Sequence, residues 1–217
     1  MTDLLSDASV QRRAARVRLL AMDVDGTLTD GRIVIGPRGE ATKHFSVRDG
    51  FGLSLLRQAG IELAIVTGRH SRIVEQRAAE LGISRVLQKV ADKRAALVSL
   101  CDALRIGLAD AAFAGDDWPD LPAMRACGFA AAPIDAEPEV RAVAHWVSTR
   151  RAGRGAIREL AETLLRAQGR YAPALAAFGG GVDVQRRGDE SGGDDADDAD
   201  DTGDDSAGAT TPPTARR

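Results

Sequence analysis

Three short apolar runs, each stopping at a polar residue, constrain this chain most. Residues 17–22 read VRLLAM and stop at Asp23, residues 61–66 read IELAIV and stop at Thr67, and residues 110–114 read DAAFA and stop at Gly115-Asp116. Weaker runs at 129–132 and 145–147 continue the series. Segments with helical periodicity lie between them, at 52–59, 71–81, 93–104, 121–126 and 154–168. Short apolar strands separated by helices predict an α/β chain with a doubly wound parallel sheet, covered by helices on both faces. One segment breaks the alternation. Residues 32–35, a Gly36-Pro37-Arg38-Gly39 turn and residues 41–45 predict a small β-hairpin inserted directly after the first strand. No other insertion is large enough to make a lid domain.

Composition bounds the rest. With 217 residues, 44% of them hydrophobic, the chain supports one globular domain with tails. Aromatics at 4% argue against a base-stacking nucleic-acid surface. The net charge of −3 is unevenly spread: residues 178–217 carry eleven acids against four arginines, a net of −7, which leaves +4 on residues 1–177. So polar a tail cannot offset the entropy of ordering, and 178–217 is expected to be a disordered acidic appendage. Residues 1–16 read as a marginally helical lead-in, and 17–172 as the folded domain. Cys101 and Cys127 suit small buried thiols of a reduced compartment. No window offers the ~20 apolar residues of a membrane span, and the N-terminus lacks a secretory apolar run. A cytoplasmic protein with no membrane or nucleic-acid partner is expected.

Ligands of an open parallel sheet bind beyond the carboxyl ends of its strands. Gathered there are Asp23-Val24-Asp25-Gly26-Thr27, Thr67-Gly68-Arg69 and Gly115-Asp116-Asp117, with Asp92-Lys93 opening a helix nearby. Clustered carboxylates repel one another unless a divalent cation neutralises them, and hard oxygen donors suit Mg²⁺. A metal and a lysine together offset the charge of a phosphoryl group. Asp23 is then placed as a nucleophile, Asp25 as an acid and base for the leaving group and water, and Thr67 with backbone N–H groups of the turn as holding the phosphoryl oxygens. Each feature has a plainer explanation alone: a capped turn for Asp23 and Asp25, turn chemistry for Thr67-Gly68, a solvated lysine for Lys93, a helix cap for Asp116, Asp117 and Asp120. Their ordered conjunction at strand ends favours the phosphate-and-magnesium reading.

These motifs resemble those of the haloacid dehalogenase superfamily. Phe45-Ser46-Val47-Arg48-Asp49-Gly50, Leu81-Gly82-Ile83 and the 153–159 segment are further similar to its 3-deoxy-D-manno-octulosonate 8-phosphate phosphatases. The resemblance implies a Rossmann-like, capless fold assembled as a homotetramer, with a neighbouring subunit closing the site. It implies Mg²⁺ on Asp23, Asp116 and the carbonyl of Asp25, with Asp117 and Asp120 supporting them. Thr67 and Lys93 would hold the phosphate. Ser46, Val47, Arg48, Asp49, Gly50, Arg69 and Arg77 would line the site of an acidic sugar phosphate, where guanidinium suits a carboxylate. Arg77 reads equally as an exposed helix arginine. Ser46 stands where that group has Asn, and Ser54 where some members have Arg. The alternatives are a phosphatase of another acidic sugar phosphate, such as a nine-carbon keto-sugar acid 9-phosphate, and a non-catalytic oligomeric binding subunit.

Overall fold

A buried strand must find a partner for every backbone N–H and C=O, and here six parallel strands supply one another. The computed structural model describes residues 8–37 and 39–180. Helix α1 (Ala8–Ala15) precedes β1 (Leu19–Met22), and the insertion β2 (Val34–Gly36) and β3 (Gly39–Thr42) follows. Then come α2 (Val47–Gln58), β4 (Glu62–Val66), α3 (Arg72–Glu80), β5 (Arg85–Leu87), α4 (Lys93–Leu104), β6 (Ala111–Ala114) and α5 (Leu121–Ala126). The described chain finishes with β7 (Phe129–Ala132), α6 (Pro138–Val143), β8 (Trp146–Val147), α7 (Ala156–Ala167) and α8 (Tyr171–Ala176). The sheet order is β5-β4-β1-β6-β7-β8, and every pairing in it is parallel.

Alternate residues of each strand feed two separate cores. Leu20 and Met22 of β1 join Val10, Leu53, Val74 and Leu160 on one face, contributed by α1, α2, α3 and α7. Leu19 and Ala21 join Leu97, Leu100, Met124 and Val140 of α4, α5 and α6 on the other. Strands buried on both faces explain why the sequence shows apolar runs instead of alternation. The chain winds outward from β1 through β4 to β5, then crosses to β6 on the other side of β1. That reversal opens a crevice at the carboxyl end of β1, where Asp23 follows.

The doubly wound sheet and the inserted hairpin match expectation, with shifts. The second hairpin strand is Gly39–Thr42 rather than 41–45, and its register shifts between Val34 and Ile35. Phe45 instead bridges Thr29. Helix α2 starts at Val47, five residues before the glycine-containing run suggested, with Ser46 as N-cap accepting from the Asp49 N–H. The lead-in holds α1, which buries Val10 and Ala14. Gln168 of the α7 cap ties its end down, donating to the Ala14 carbonyl at 3.4 Å and to the Val17 carbonyl just beyond it at 2.8 Å. Phe178, at the start of the expected tail, stacks edge-on against Phe51 at 5.3 Å. The acidic run itself lies outside the described residues.

Candidate active site

The loop leaving β1 has to turn tightly beside another loop, and two glycines permit it. Gly26 has φ +93°, and a Cβ there would stand 2.0 Å from Asp116 Oδ2. At Gly115 a Cβ would meet the Asp120 side chain at 2.5 Å. The β1 and β6 loops therefore press their carboxylates together. Thr27 Oγ1 donates to Asp116 Oδ1 at 2.7 Å. Asp120 Oδ2 accepts from the backbone N–H groups of Asp116 and Asp117, at 2.9 and 3.2 Å. Its Oδ1 receives Lys93 Nζ at 2.6 Å, and the same ammonium reaches Asp23 Oδ1 at 2.9 Å.

Lys93 is the first residue of α4, where a cation opposes the helix dipole. The Asp92 cap accepting from Ala95 N–H and the two carboxylates across the crevice outweigh that cost. Burial alone would lower the Lys93 ammonium's pKa, but Asp23 and Asp120 hold it above the ordinary lysine value. One lysine does not balance three carboxylates. Burial, with the charge of Asp120 adding to it, raises Asp23 to about 6 against the pull of Lys93. Burial also raises Asp116 to about 7, opposed by the Thr27 hydrogen bond and reinforced by Asp23 and Asp120. Oxygens of Asp23, Asp116 and Asp120 lie within 4.8 Å of one another. An oxygen-only set with excess negative charge, beside a glycine that leaves the space clear, fits a hard divalent cation. With both oxygens of Asp120 already engaged, Asp23 and Asp116 are the carboxylates available to one.

Asp23, Asp25, Thr67, Arg69, Lys93, Asp117 and Asp120 line one open cleft of about 350 Å³. Asp116 is not among the residues lining it, but one of its oxygens lies within 4.8 Å of oxygens of Asp23 and Asp120, which do. Thr67 directly follows β4 and is buried, and its Oγ1 accepts from the Arg69 N–H at 3.4 Å. Arg69 is half exposed, with Nε 3.5 Å from Asp25 Oδ2.

The remaining residues of the sugar-acid group do not reach this cleft in the single chain. Val47 and Arg48 are exposed on the first turn of α2. Asp49 is buried and accepts from the Gly155 and Arg158 N–H groups at 3.2 and 2.7 Å, tying the start of α7 to α2. Arg77 turns toward α2: Nη1 pairs with Glu80 at 3.0 Å and the guanidinium lies 5.9 Å from the Phe45 ring. A Cβ at Gly50 would strike Arg77 Nη2 at 2.2 Å. Two residues that sequence reasoning did not single out do enter the site. Lys43, with a fully buried side chain, pairs with Asp25 Oδ1 and with Glu40 Oε1, the latter at 3.0 Å. Both come from the hairpin, where no motif or periodicity marks them.

Comparison with known proteins bears on this arrangement. Residues 40–128 match the family model of the haloacid dehalogenase-like hydrolases. The 3-deoxy-D-manno-octulosonate 8-phosphate phosphatase KdsC of Escherichia coli is 42% identical over 163 residues, covering 75% of this chain and 87% of that protein. The crystal structure of 3-deoxy-D-manno-octulosonate 8-phosphate phosphatase from Moraxella catarrhalis, in complex with magnesium, phosphate and KDO, is 44% identical. It superposes with a TM-score of 0.78 over 79% of this chain and 99% of that one. The cobalt-bound phosphatase of Haemophilus influenzae is 36% identical, with a TM-score of 0.73 over 76% of this chain and 99% of that one. The chain belongs to the haloacid dehalogenase-like hydrolases and, within them, to the family of 3-deoxy-D-manno-octulosonate 8-phosphate phosphatases.

Proposed function

We propose that this chain is a Mg²⁺-dependent phosphomonoesterase. Its reaction is hydrolysis of 3-deoxy-D-manno-octulosonate 8-phosphate to the free sugar acid and phosphate, through an aspartyl-phosphate on Asp23. The observation that carries the reading is Lys93 bridging Asp23 and Asp120 beside Asp116, at the carboxyl ends of β1 and β6. Asp23, Asp116 and the carbonyl of Asp25 would hold the metal. When bound, Mg²⁺ neutralises these carboxylates and offsets the charge on the phosphoryl oxygens. The Asp23 carboxylate attacks phosphorus while Lys93 and Thr67 hold the equatorial oxygens. Asp25 gives its proton to the departing sugar oxygen, then takes one from the water that releases phosphate. Asp120 fixes the β6 loop and the Lys93 head group, and Asp117 borders the cleft mouth.

Arg69 stands at the cleft edge, where its guanidinium suits the carboxylate of a sugar acid. The hairpin exposes Ile35 at 76%, and Val47 at the start of α2 is exposed at 82%. An apolar outer surface of this kind favours cover by a second copy. In a homotetramer Ser46, Val47, Arg48 and Arg77 would form the wall between subunits that meets the sugar, with the buried Asp49 and Gly50 supporting it from beneath. No described helix is long and apolar enough to cross a membrane, and the proposed site of action is the cytoplasm, in lipopolysaccharide precursor synthesis. The catalytic domain is assigned to 17–172, with 178–217 as an appendage and the 1–16 lead-in adding α1 to its core.

The test is phosphate release from a panel of sugar phosphates with and without Mg²⁺. Strong Mg²⁺-dependent preference for 3-deoxy-D-manno-octulosonate 8-phosphate is expected. Preference for a nine-carbon sugar acid 9-phosphate would reassign the substrate, and no release from any substrate would replace the enzyme with a binding subunit.

A further inference from the structure

The hairpin is built inside out. Its apolar residues Val34 and Ile35 face solvent, while Glu40 is largely buried and the Lys43 side chain is completely so. A lysine out of water is costly unless paired. Its pairing runs directly to the residue assigned as the acid: Lys43 Nζ donates to Asp25 Oδ1 and, at 3.0 Å, meets Glu40 Oε1. Glu40 is itself anchored, since Oε2 accepts from Ser71 Oγ at the N-cap of α3 and Oε1 lies 3.8 Å from Arg69 Nη2. Burial pushes the Glu40 carboxyl up, but Ser71, Lys43 and Arg69 outweigh it and hold it below the usual range. Asp25, Lys43, Glu40 and Arg69 thus form one connected cluster. Within it Asp25 Oδ1 is committed to Lys43, and Oδ2 lies 3.5 Å from Nε of Arg69, a residue that lines the cleft with Asp25.

We propose that Lys43, braced by Glu40, is a positioning residue for proton transfer. It fixes the Asp25 carboxyl so that Oδ2 faces the leaving oxygen. This deepens the function proposed above and rests on it. In the step it serves, the phosphorus–oxygen bond to the sugar breaks, its electron pair stays on that oxygen, and the proton on Asp25 moves there. Among the described residues the ion pairs of Lys43 are with Asp25 and Glu40 and not with Asp23, so its effect is confined to leaving groups that need a proton.

The experiment measures single-turnover release of the leaving group by the full chain with Mg²⁺. Two substrates are compared: the alkyl phosphate 3-deoxy-D-manno-octulosonate 8-phosphate, and 4-nitrophenyl phosphate, whose phenolate departs unprotonated. Lys43→Met is expected to slow sugar release by about 10-fold or more, within the range of a general acid, and nitrophenolate release by less than about 3-fold. Glu40→Gln, which keeps an acceptor for Ser71, is expected to give the same split at smaller size, and it serves as the test if Lys43→Met does not fold. Asp25→Asn is run beside them. If Asp25→Asn splits the two substrates while the Lys43 and Glu40 variants slow both equally or neither, the positioning role is overturned and the acid assignment stands. If Asp25→Asn itself produces no split, the acid assignment fails and takes this proposal with it. A split in all three supports it.

Discussion

Asp116→Asn separates the electrostatics of the site from its packing. Asn keeps an Oδ1 to accept from Thr27, whose hydroxyl donates to Asp116 at 2.7 Å, so the change removes charge with little loss of contact. In the folded protein burial raises this carboxyl from 3.8 to about 7. Between those values the metal-free folded state holds a proton that the unfolded chain has lost, so folding stability falls as pH rises through them. At 1.36 kcal/mol per unit the shift sets a ceiling of about 4 kcal/mol. Sharing with Asp23 and partial solvent access reduce it to about 2 kcal/mol. For a chain of this size that corresponds to about 4–8 °C in Tm. After EDTA treatment at pH 8, Asp116→Asn should therefore melt above the unsubstituted protein, and the gap should close toward pH 4. Saturating Mg²⁺ should reverse the order, because a ligand at a hundred times its Kd adds about 2.7 kcal/mol only where it binds. Differential scanning calorimetry across pH and Mg²⁺ reads both effects. If the variant melts below the unsubstituted protein without metal, or if Mg²⁺ raises both equally, Asp116 is not a metal-facing buried charge.

Three further outcomes follow from the same geometry. Gly26→Ala places a Cβ 2.0 Å from Asp116 Oδ2 on a left-handed backbone, and should cost about 1–3 kcal/mol by urea denaturation while weakening the Mg²⁺-induced rise in Tm. An unchanged denaturation midpoint would mean that the two loops have room to separate. Lys93→Ala leaves Asp23 and Asp120 facing each other without their shared cation, and should lose about 3–5 kcal/mol of stability and at least about 100-fold in turnover. Unaltered melting and turnover would discard Lys93 as the bridge. Asp49→Ala strips two backbone N–H groups at the start of α7 of their acceptor, and thermal unfolding should report a loss of about 1–2 kcal/mol. No loss would show that the α2–α7 junction does not depend on this cap.

The sheet was legible because strands buried on both faces leave contiguous apolar runs, and the cleft because its residues sit where those runs stop. What escaped was short, or set by tertiary contact. Strand β5, three residues at the sheet edge, is only partly buried and carries Arg85, which pairs with Glu62 at 3.7 Å. Helices α6 and α8 have six residues each and contain Pro138 and Pro173, so neither completes a periodic pattern. The first turn of α2 reads as loop because of Gly50, and the helical run reads as beginning at Gly52. Both positions are glycine because neighbours press on them: Arg77 lies against one, and Ala161 and Arg158 lie against the other at 3.1 Å from where a Cβ would be. Asp49 belongs to a recognisable motif, yet its role as a cap for α7 depends on a contact more than a hundred residues away. Lys43 and Glu40 give no signal at all, since a charged pair in a hairpin reads as solvated until the fold turns it inward.

Trapping the phosphoryl group tests the proposed covalent role of Asp23 most directly. The full chain with Mg²⁺ is mixed with excess ³²P-labelled 3-deoxy-D-manno-octulosonate 8-phosphate, quenched in acid within one turnover, digested, and its labelled peptide identified by mass spectrometry. Acid-stable, alkali-labile label on the peptide containing Asp23, absent in Asp23→Asn, is the expected result. Full-rate hydrolysis with label on no aspartate, or label retained when Asp23 is replaced, would contradict it.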